Sequence, residues 1–372
     1  MKRKILCVFG TRPEAIKMAP VVKELQKRPK YFRPLVCVTA QHRHMLDQVL
    51  EIFDIKPDID LNLMRKNQTL TSLTARSLTA ITNTLIEEKP DLVLVQGDTT
   101  TAMVAALASF YQKIPVGHVE AGLRTNDKYN PFPEEINRSV IGVLAAYHFA
   151  PTRLSVNALK KCGIPSDAVY LTGNTVVDAL QMILKRKSSF SLPLDLKNKK
   201  MILVTAHRRE NFGRPLENIC SALKAIASRN EDVEIVYPVH LNPNVRNVVY
   251  AKLQRVKGVH LLEPVEYIEL VSLLKNCYLV LTDSGGIQEE APALGKPVLV
   301  MRSETERPEG VQAGVARLVG TDIGRIIRSV EELLHNASSY QKMSQAVSPY
   351  GDGRSAARIV DIIEKNRKEG SK

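Results

Sequence analysis

The feature that most constrains the fold is a series of short apolar runs separated by longer helical patterns. Each run is continuous and rich in Val, Ile and Leu, which is typical of strands buried on both faces of a parallel sheet. The runs are Ile5–Phe9, Leu35–Thr39, Leu92–Gln96, Val116–Val119, Tyr147–Ala150, Val169–Thr172, Met201–Thr205, Val233–Val239, Val259–Leu262, Leu279–Thr282, Val298–Met301 and Ala316–Val319. Helical patterns lie between them, for example Arg76–Glu88, Thr100–Gln112 and Leu216–Ser228. Such alternation predicts right-handed βαβ units and open, doubly wound sheets.

The runs fall into two similar halves of six, and a chain of 372 residues is too long for one ordinary core. We therefore predict an α/β protein with two Rossmann-like doubly wound parallel-sheet domains facing a central cleft. The N-terminal domain is expected at 1–184, a polar hinge at 185–200 and a C-terminal nucleotide-binding domain at 201–352. A last helix, about Gly353 to Lys368 within 353–372, is expected to pack back on the N-terminal domain. Ligands of such sheets bind beyond the carboxyl ends of the strands.

Composition indicates an anionic partner of small size. The net charge is +13, but the basic residues are spread along the chain and form no nucleic-acid module. Five cysteines occur without a CxxC pair, which favours a reducing cytoplasm over a disulfide framework. No run of about 18 apolar residues is present, so no membrane span is expected. We expect a small phosphorylated ligand.

The first candidate site follows the first strand. Gly10 permits a tight turn, Pro13 suits the first helical position, and Arg12 and Lys17 surround a helix start whose amides are free. This pattern predicts an anion site, although an ordinary strand-to-helix turn has the same residues. A GxGxxG pattern is absent, which argues against a dinucleotide site.

Three carboxylates follow later strands of the first half. Asp98 either caps a helix or takes part in the chemistry. Glu120 either points into the cleft or pairs with Arg124. Glu134 begins a helix, and it either takes part in the chemistry or stabilises the helix dipole. Capping alone explains less well why three neighbouring loop ends all carry an acid. Carboxylates gathered in a cleft suit acid/base chemistry.

The second half carries the cationic and glycine-rich segments. His207 ends a strand beside two arginines, His240 ends the next one, and Ser284-Gly285-Gly286 opens a helix whose bare amides suit a diphosphate. A carboxylate one turn later, Glu289 or Glu290, is a candidate for the ribose hydroxyls, and Arg302, Arg307 and Glu309 add charge near the same place. Zinc spacing, a Walker A lysine and a DxD triplet are absent, so we expect no metal and no cofactor.

Taken in order along nearly the whole chain, these motifs resemble the non-hydrolysing UDP-N-acetylglucosamine 2-epimerases. The segments that carry the resemblance are Phe9–Met18, Gln96–Thr101, Gly117–Arg124, Pro133–Glu135, His207–Glu210, Asp283–Pro292 and Thr305–Gly310. The resemblance implies a GT-B type fold and a homodimer that binds UDP-N-acetylglucosamine and UDP-N-acetylmannosamine, without nucleic acid or membrane partners. It also implies a role in supplying precursor for cell-surface polysaccharide.

The resemblance further implies roles for individual residues. UDP would be held by Arg12, Lys17, Ser284, Gly285, Gly286, Glu290 and Arg307, and the chemistry would be served by Asp98, Glu120, Glu134 and His207. Some relatives bind a second UDP-N-acetylglucosamine as activator; the activator positions here include His44, and those that match the relatives are Gln41, Glu134, Arg208 and His240. At two such positions the chain departs from the pattern, with His44 where relatives often carry Gln and Asn67 where they carry Arg.

The expected reaction inverts C2 by elimination of UDP to a 2-acetamidoglucal and re-addition, because the C2 proton of an amino sugar is not acidic on its own. A carboxylate would remove the proton after the C1–O bond breaks, and cationic groups with the Gly285 and Gly286 amides would stabilise the departing diphosphate. Three alternatives remain open: a glycosyltransferase on the same scaffold, a hydrolysing epimerase that releases free N-acetylmannosamine, and a nucleotide-sugar sensor without turnover.

Overall fold

A computed structural model of the chain describes residues 2–39, 43–65, 68–186, 196 and 199–366, apart from the side chains of residues 43 and 44. The chain divides into two compact units. Unit 1 comprises Met1–Met182 with Tyr350–Lys372, and unit 2 comprises Ile183–Pro349. The chain therefore passes from one unit to the other twice, once near the end of a helix and once before Tyr350.

Unit 1 contains a parallel sheet of seven strands among the described residues, in the order β3-β2-β1-β4-β5-β6-β7. Its strands are β1 Arg3–Phe9, β2 Phe32–Val38, β3 Ile59–Asp60, β4 Leu92–Gln96, β5 Val116–Val119, β6 Tyr147–Ala150 and β7 Val169–Leu171. Its helices are α1 Arg12–Gln26, α2 Arg43–Ile52, α3 Leu70–Glu88, α4 Thr100–Tyr111, α5 Glu134–Leu144, α6 Arg153–Lys161, α7 Thr175–Leu184, whose last two residues belong to unit 2, and α15 Ser355–Asn366.

The expectation of six strands in this half was wrong by one. The additional strand, β3, has two residues and pairs with the end of β2. A strand that short leaves no apolar run in the sequence. Elsewhere the difference lies in the bounds: β2 begins three residues before the predicted run because Arg33 and Pro34, which interrupt it, still pair with β1.

Unit 2 contains a parallel sheet of six strands in the order β10-β9-β8-β11-β12-β13. Its strands are β8 Lys200–Thr205, β9 Val233–Pro238, β10 Val259–Leu262, β11 Leu279–Thr282, β12 Val298–Val300 and β13 Ala316–Leu318. Its helices are α8 Arg214–Arg229, α9 Pro243–Leu253, α10 Tyr267–Asn276, α11 Gly285–Glu290, α12 Pro308–Gln312, α13 Ile323–His335 and α14 Ala337–Ser344.

Both faces of the unit 2 sheet are covered by apolar packing. In β8, Ile202 and Val204 belong to one core cluster, while Met201 and Leu203 belong to another. Successive side chains of a strand point to opposite faces, so this division shows that each face has its own core. The continuous apolar runs predicted this double burial, and the predicted class of two doubly wound parallel-sheet domains is confirmed.

The C-terminal helix α15 belongs to unit 1. The Arg28 guanidinium, at the end of α1, contacts Asp361 at 2.7 Å and Glu364 at 2.9 Å. The carboxylate of Asp178 in α7 accepts hydrogen bonds from the amides of Ser355 and Ala356 at 3.1 and 2.9 Å. These polar contacts fix the segment that enters unit 1 for the second time. Most of the predicted hinge at 185–200 lies outside the described residues.

Candidate active site

Unit 1 brings three strand and helix ends close together at Gly10. A Cβ atom at Gly10 would lie 2.0 Å from Oγ1 of Thr39 and 2.9 Å from Oγ1 of Thr101, so the position requires glycine. The next residue, Thr11, is the N-cap of α1, and Glu14 completes a capping box by accepting the amides of Gly10 and Thr11 at 3.1 and 2.8 Å. Arg12 is the first residue of α1 and half-buried. Pro13 therefore occupies the second helical position and not the predicted first.

Glu120 follows directly after β5 and is the most constrained acid of the set. It is 7% exposed, and its backbone has a φ of +64°, a left-handed conformation that residues other than glycine rarely adopt. Its carboxylate accepts hydrogen bonds from Lys17 and Gln96 and from Nδ2 of Asn174 at 3.1 Å. Its ion pair is with Lys17, so the alternative pairing with Arg124 is not the arrangement in this structure.

The position of Lys17 follows from this ion pair. Lys17 lies in the second turn of α1, is 8% exposed and directs its ammonium group at Glu120. The two side chains thus form a buried ion pair between α1 and the end of β5. The structure thus links Lys17 to a catalytic candidate, and its contact with UDP stays a prediction.

Buried Arg138 connects Asp98 to the helix α5. One guanidinium nitrogen of Arg138 contacts Oδ2 of Asp98 at 2.5 Å, and another lies 3.4 Å from Glu135. Arg138 and Glu135 both belong to α5, and half-buried Glu134 is the first residue of that helix. The ion pair therefore holds the Asp98 loop against the helix that carries Glu134.

Buried His118 is bonded to the loop that carries Asp98. Nε2 of His118 lies 2.7 Å from the carbonyl oxygen of Gly97, the residue before Asp98, and must therefore carry the proton to donate this bond. Burial lowers the pKa of His118 to about 3, so the ring is neutral at pH 7. A Cβ at Gly97 would lie 3.7 Å from Oε2 of Glu120, which places the Asp98 loop beside the Glu120 carboxylate.

In unit 2 the organising residue is Asp283, which sequence reasoning did not select. It follows β11 and is 0% exposed. Its Oδ2 accepts the amides of His207 and Arg208 at 2.9 and 2.8 Å and Nδ2 of Asn211 at 3.0 Å. This carboxylate fixes the backbone of the loop after β8, and it therefore fixes the Cα positions from which the side chains of His207 and Arg208 extend.

His207 and His240 form a stacked pair at the ends of β8 and β9. Their ring centroids are 5.3 Å apart with an interplanar angle of 15°. Burial lowers the pKa of His207, and nearby His240 and Arg208 lower it further, although Asp283 opposes the shift. A neutral imidazole here can either donate or accept a proton near neutral pH.

Two arginines converge on the glycines that begin α11. A Cβ at Gly285 would lie 3.5 Å from an Nη atom of Arg208 and 3.9 Å from one of Arg307, whereas nothing lies within 4 Å of the same atom at Gly286. Ser284 is the half-buried N-cap of α11. Two guanidinium groups beside bare backbone amides with open space in front suit a diphosphate.

The remaining acids of this region are involved in internal contacts. Glu289 forms an ion pair with Arg307, which holds the guanidinium in place, and Glu290 accepts a hydrogen bond from the hydroxyl of buried Tyr267 at 2.7 Å. Arg302 pairs with Glu210. The predicted contact of Glu289 or Glu290 with ribose stays a prediction.

The structure thus gathers Asp98, Glu120 and the start of α5 in unit 1, and His207, His240, Arg208 and Arg307 with Ser284–Gly286 in unit 2. Of the activator positions, Gln41 lies outside the described residues, as does the side chain of His44. Residues that reasoning from sequence missed are Gln96, Arg138, Asn174 and Asp283. A signal existed for Asn174 and Asp283, because both follow strand ends.

Comparison with known proteins gives consistent matches along the chain. Residues 23–364 match the family model described as UDP-N-acetylglucosamine 2-epimerase. The UDP-N-acetylglucosamine 2-epimerase of Escherichia coli K12 is 55% identical over 373 residues, which cover 98% of this chain and 99% of that protein. No described helix has the length and apolar character needed to span a bilayer.

Two solved structures extend the match to the fold. The UDP-GlcNAc 2-epimerase of Neisseria meningitidis bound to UDP-GlcNAc superposes with a TM-score of 0.91 at 50% identity, covering 97% of this chain and 100% of that one. The Methanocaldococcus jannaschii enzyme in complex with UDP-GlcNAc and UDP superposes with a TM-score of 0.80 at 34% identity, covering 97% and 99%. The similarity therefore spans both units.

Proposed function

The chain belongs to the UDP-N-acetylglucosamine 2-epimerase family, and we propose that it interconverts UDP-N-acetylglucosamine and UDP-N-acetylmannosamine by inverting C2. The observation that carries the proposal is the arrangement in unit 1. Asp98 and Glu120 follow adjacent strands, each is paired with a buried cation, and Arg138 bonds Asp98 to α5, whose first residue is Glu134. Such acids suit proton transfer at a carbon centre.

Unit 2 supports binding of the diphosphate. Arg208 and Arg307 lie beside Gly285, and Gly286 leaves open space for an oxygen atom to approach the backbone. These cationic groups meet the charge that develops on UDP when it leaves C1, which is where electrostatic stabilisation is most effective. We assign the diphosphate to these residues.

The proposed reaction has two balanced steps. The C1–O bond breaks and UDP leaves with the electron pair, after which a carboxylate takes the C2 proton and 2-acetamidoglucal remains. A second acid then delivers a proton to the opposite face of C2, and UDP returns to C1. General acid/base catalysis of this kind contributes about 10²–10⁴-fold. Asp98, Glu120, Glu134 and His207 are the candidates for these transfers.

Turnover in deuterated water tests this function. The purified protein with UDP-N-acetylglucosamine should form UDP-N-acetylmannosamine that carries deuterium at C2, observed by proton NMR. Glu120→Gln should reduce the rate by about 10²-fold or more, because it removes a charged acid/base group. Glu263→Gln is the matched control, since Glu263 is an exposed acid paired with Arg246 at the surface.

Each alternative predicts a different spectrum in the same experiment. Product without deuterium at C2 would contradict the elimination scheme. Free N-acetylmannosamine would indicate a hydrolysing enzyme, release of UDP only in the presence of an acceptor would indicate a glycosyltransferase, and binding without turnover would indicate a sensor.

A homodimer is part of the proposal and is supported by exposed apolar side chains on neighbouring helices. Phe110 and Tyr111 end α4 with 58% exposure each, and Ile136 and Val143 on the adjacent α5 are 46% and 81% exposed. Ile136 and Val143 are seven residues apart and share one helix face. Val143→Glu should halve the mass measured by sedimentation, whereas Val347→Glu, at an 85% exposed position of unit 2, should not.

The cellular role is proposed from the product. UDP-N-acetylmannosamine would be made in the cytoplasm and would supply a cell-surface polysaccharide that contains N-acetylmannosamine. Loss of that sugar from the envelope after deletion of the coding sequence, restored by the wild-type chain but not by an inactive variant, is the expected result.

A further inference from the structure

Asn174 lies between Glu120 and the point where the chain returns to unit 1. It follows β7 by three residues and directly precedes α7, and it is 1% exposed. The first crossing is near the end of α7, and the second is at Pro349–Tyr350. The amide of Asn174 donates to the carbonyl oxygen of Tyr350 at 2.7 Å, so the residue is bonded to the segment of the second crossing.

The side chain of Asn174 is fully oriented by two further bonds. Its Oδ1 accepts the amide of Val176 at 3.0 Å, which orients the amide group at the start of α7. Its Nδ2 then donates to Oε1 of Glu120 at 3.1 Å. Because Oδ1 is occupied by a backbone donor, the side chain presents a hydrogen-bond donor to Glu120.

We infer that Asn174 is a positioning residue for Glu120, which fixes the orientation of that carboxylate and connects it to Tyr350, where the chain returns to unit 1. This inference rests on the proposed function, in which Glu120 is a catalytic acid/base residue. The environment of Glu120 supports it. The charged group facing the carboxylate is Lys17 of α1, while β4 and the segment before α7 contribute the neutral donors Gln96 and Asn174.

Glu120 needs such support because its own backbone does not favour the observed position. A φ of +64° is a conformation that a glutamate holds only when surrounding contacts enforce it. Three side-chain donors from three different elements supply these contacts. Asn174 is the donor whose backbone is bonded to Tyr350, so it links Glu120 to the second crossing.

Two substitutions separate the contact with Glu120 from the contact with α7. Asn174→Asp retains an acceptor for the amide of Val176 but replaces the donor by a carboxylate next to Glu120. Two neighbouring carboxylates cannot both ionise easily, so the acid limb of the pH profile of kcat/KM should move to higher pH by about one unit or more. Asn174→Ser also retains an acceptor but removes Nδ2, the atom that donates to Glu120, and kcat should fall roughly ten- to a hundredfold with little change in KM.

Gln181→Ala is the matched control. Nε2 of exposed Gln181 on α7 donates to the carbonyl oxygen of Asp352 at 3.1 Å, so the variant weakens the same crossing without a contact to Glu120. Its kcat and its pH profile should equal those of the wild type. A wild-type pH profile for Asn174→Asp, or a kcat within about twofold of wild type for Asn174→Ser, would overturn the inference.

A measurement without turnover keeps the inference separate from the proposed function. The loss of Tm caused by Asn174→Asp should be much smaller in the Glu120→Gln background, because the repulsion between two carboxylates is then absent. An equal loss of Tm in the wild-type and Glu120→Gln backgrounds would show that residue 174 does not contact Glu120, even if the enzyme is active. If the wild type places no deuterium at C2 while the coupling is present, the proposed function fails and the contact stands.

Discussion

Asp283 offers the most direct test of how unit 2 is organised. Its buried carboxylate accepts three donors through one oxygen: the amides of His207 and Arg208 and Nδ2 of Asn211, at 2.9, 2.8 and 3.0 Å. Hydrogen bonds to a charged group contribute about 1.5–3 kcal/mol each, against about 1 kcal/mol for neutral ones. An asparagine at this position would retain the shape of the side chain but lose its charge. Asp283→Asn should therefore destabilise the loop by about 3 kcal/mol, or roughly 1 kcal/mol per bond.

Hydrogen exchange followed by mass spectrometry measures this loss where it occurs. About 3 kcal/mol corresponds to an increase of roughly a hundredfold in the exchange rate of the amides of His207 and Arg208. Peptides from β4 and β5 in unit 1 serve as the internal control and should exchange at the wild-type rate. Asp283→Ala, which removes the acceptor entirely, should have a larger effect than Asp283→Asn.

The kinetic consequence follows from the same geometry. A mobile loop no longer holds the Arg208 guanidinium beside Gly285, so the affinity for UDP should fall together with kcat. Exchange of the His207 and Arg208 amides at the wild-type rate in Asp283→Asn, with unchanged affinity for UDP, would refute the view that this carboxylate organises the loop.

Three further predictions concern separate parts of the structure. Gly286→Ala should weaken UDP binding by about tenfold or more while leaving Tm unchanged, because its Cβ would have no described atom beyond its own helix within 4 Å but would occupy the proposed ligand space. Unchanged affinity in calorimetry would contradict the assignment. Arg138→Met should lower kcat about tenfold or more because it releases Asp98, and KM should stay close to the wild-type value. A kcat equal to that of the wild type would show that Arg138 does not position Asp98 for catalysis. Burial lowers the pKa of His118 to about 3 and that of His148 to about 4. Below about pH 6.5, which is the pKa of a histidine in the unfolded chain, protons therefore bind preferentially to the unfolded state. Each ring should lower the free energy of unfolding by about 2 kcal/mol between about pH 6.5 and 4.5. Urea titrations should show that loss, with a smaller decrease in His118→Gln; equal slopes would count against the buried neutral ring.

The strands were predictable because burial on both faces imposes a local signature. The apolar runs at Ile5–Phe9 and Leu279–Thr282 correspond to β1 and β11, and the order of the elements determines a parallel doubly wound sheet. Candidate residues such as Glu120 and Ser284 were found for the same reason, since the residue after a parallel strand lies at the ligand-binding edge. Strand β3 was not predicted, because its two residues are too few to form an apolar run in the sequence.

The partners of those residues were decided by tertiary structure. Lys17 and Glu120 are 103 positions apart in sequence, and Asn174 and Glu120 are 54 apart, so no local pattern announces either contact. Asp283 accepts the backbone amide of Arg208, which lies 75 positions earlier in the chain. Residue type and strand position are local properties of the chain, whereas charge, orientation and burial depend on which distant segments the sheet brings together.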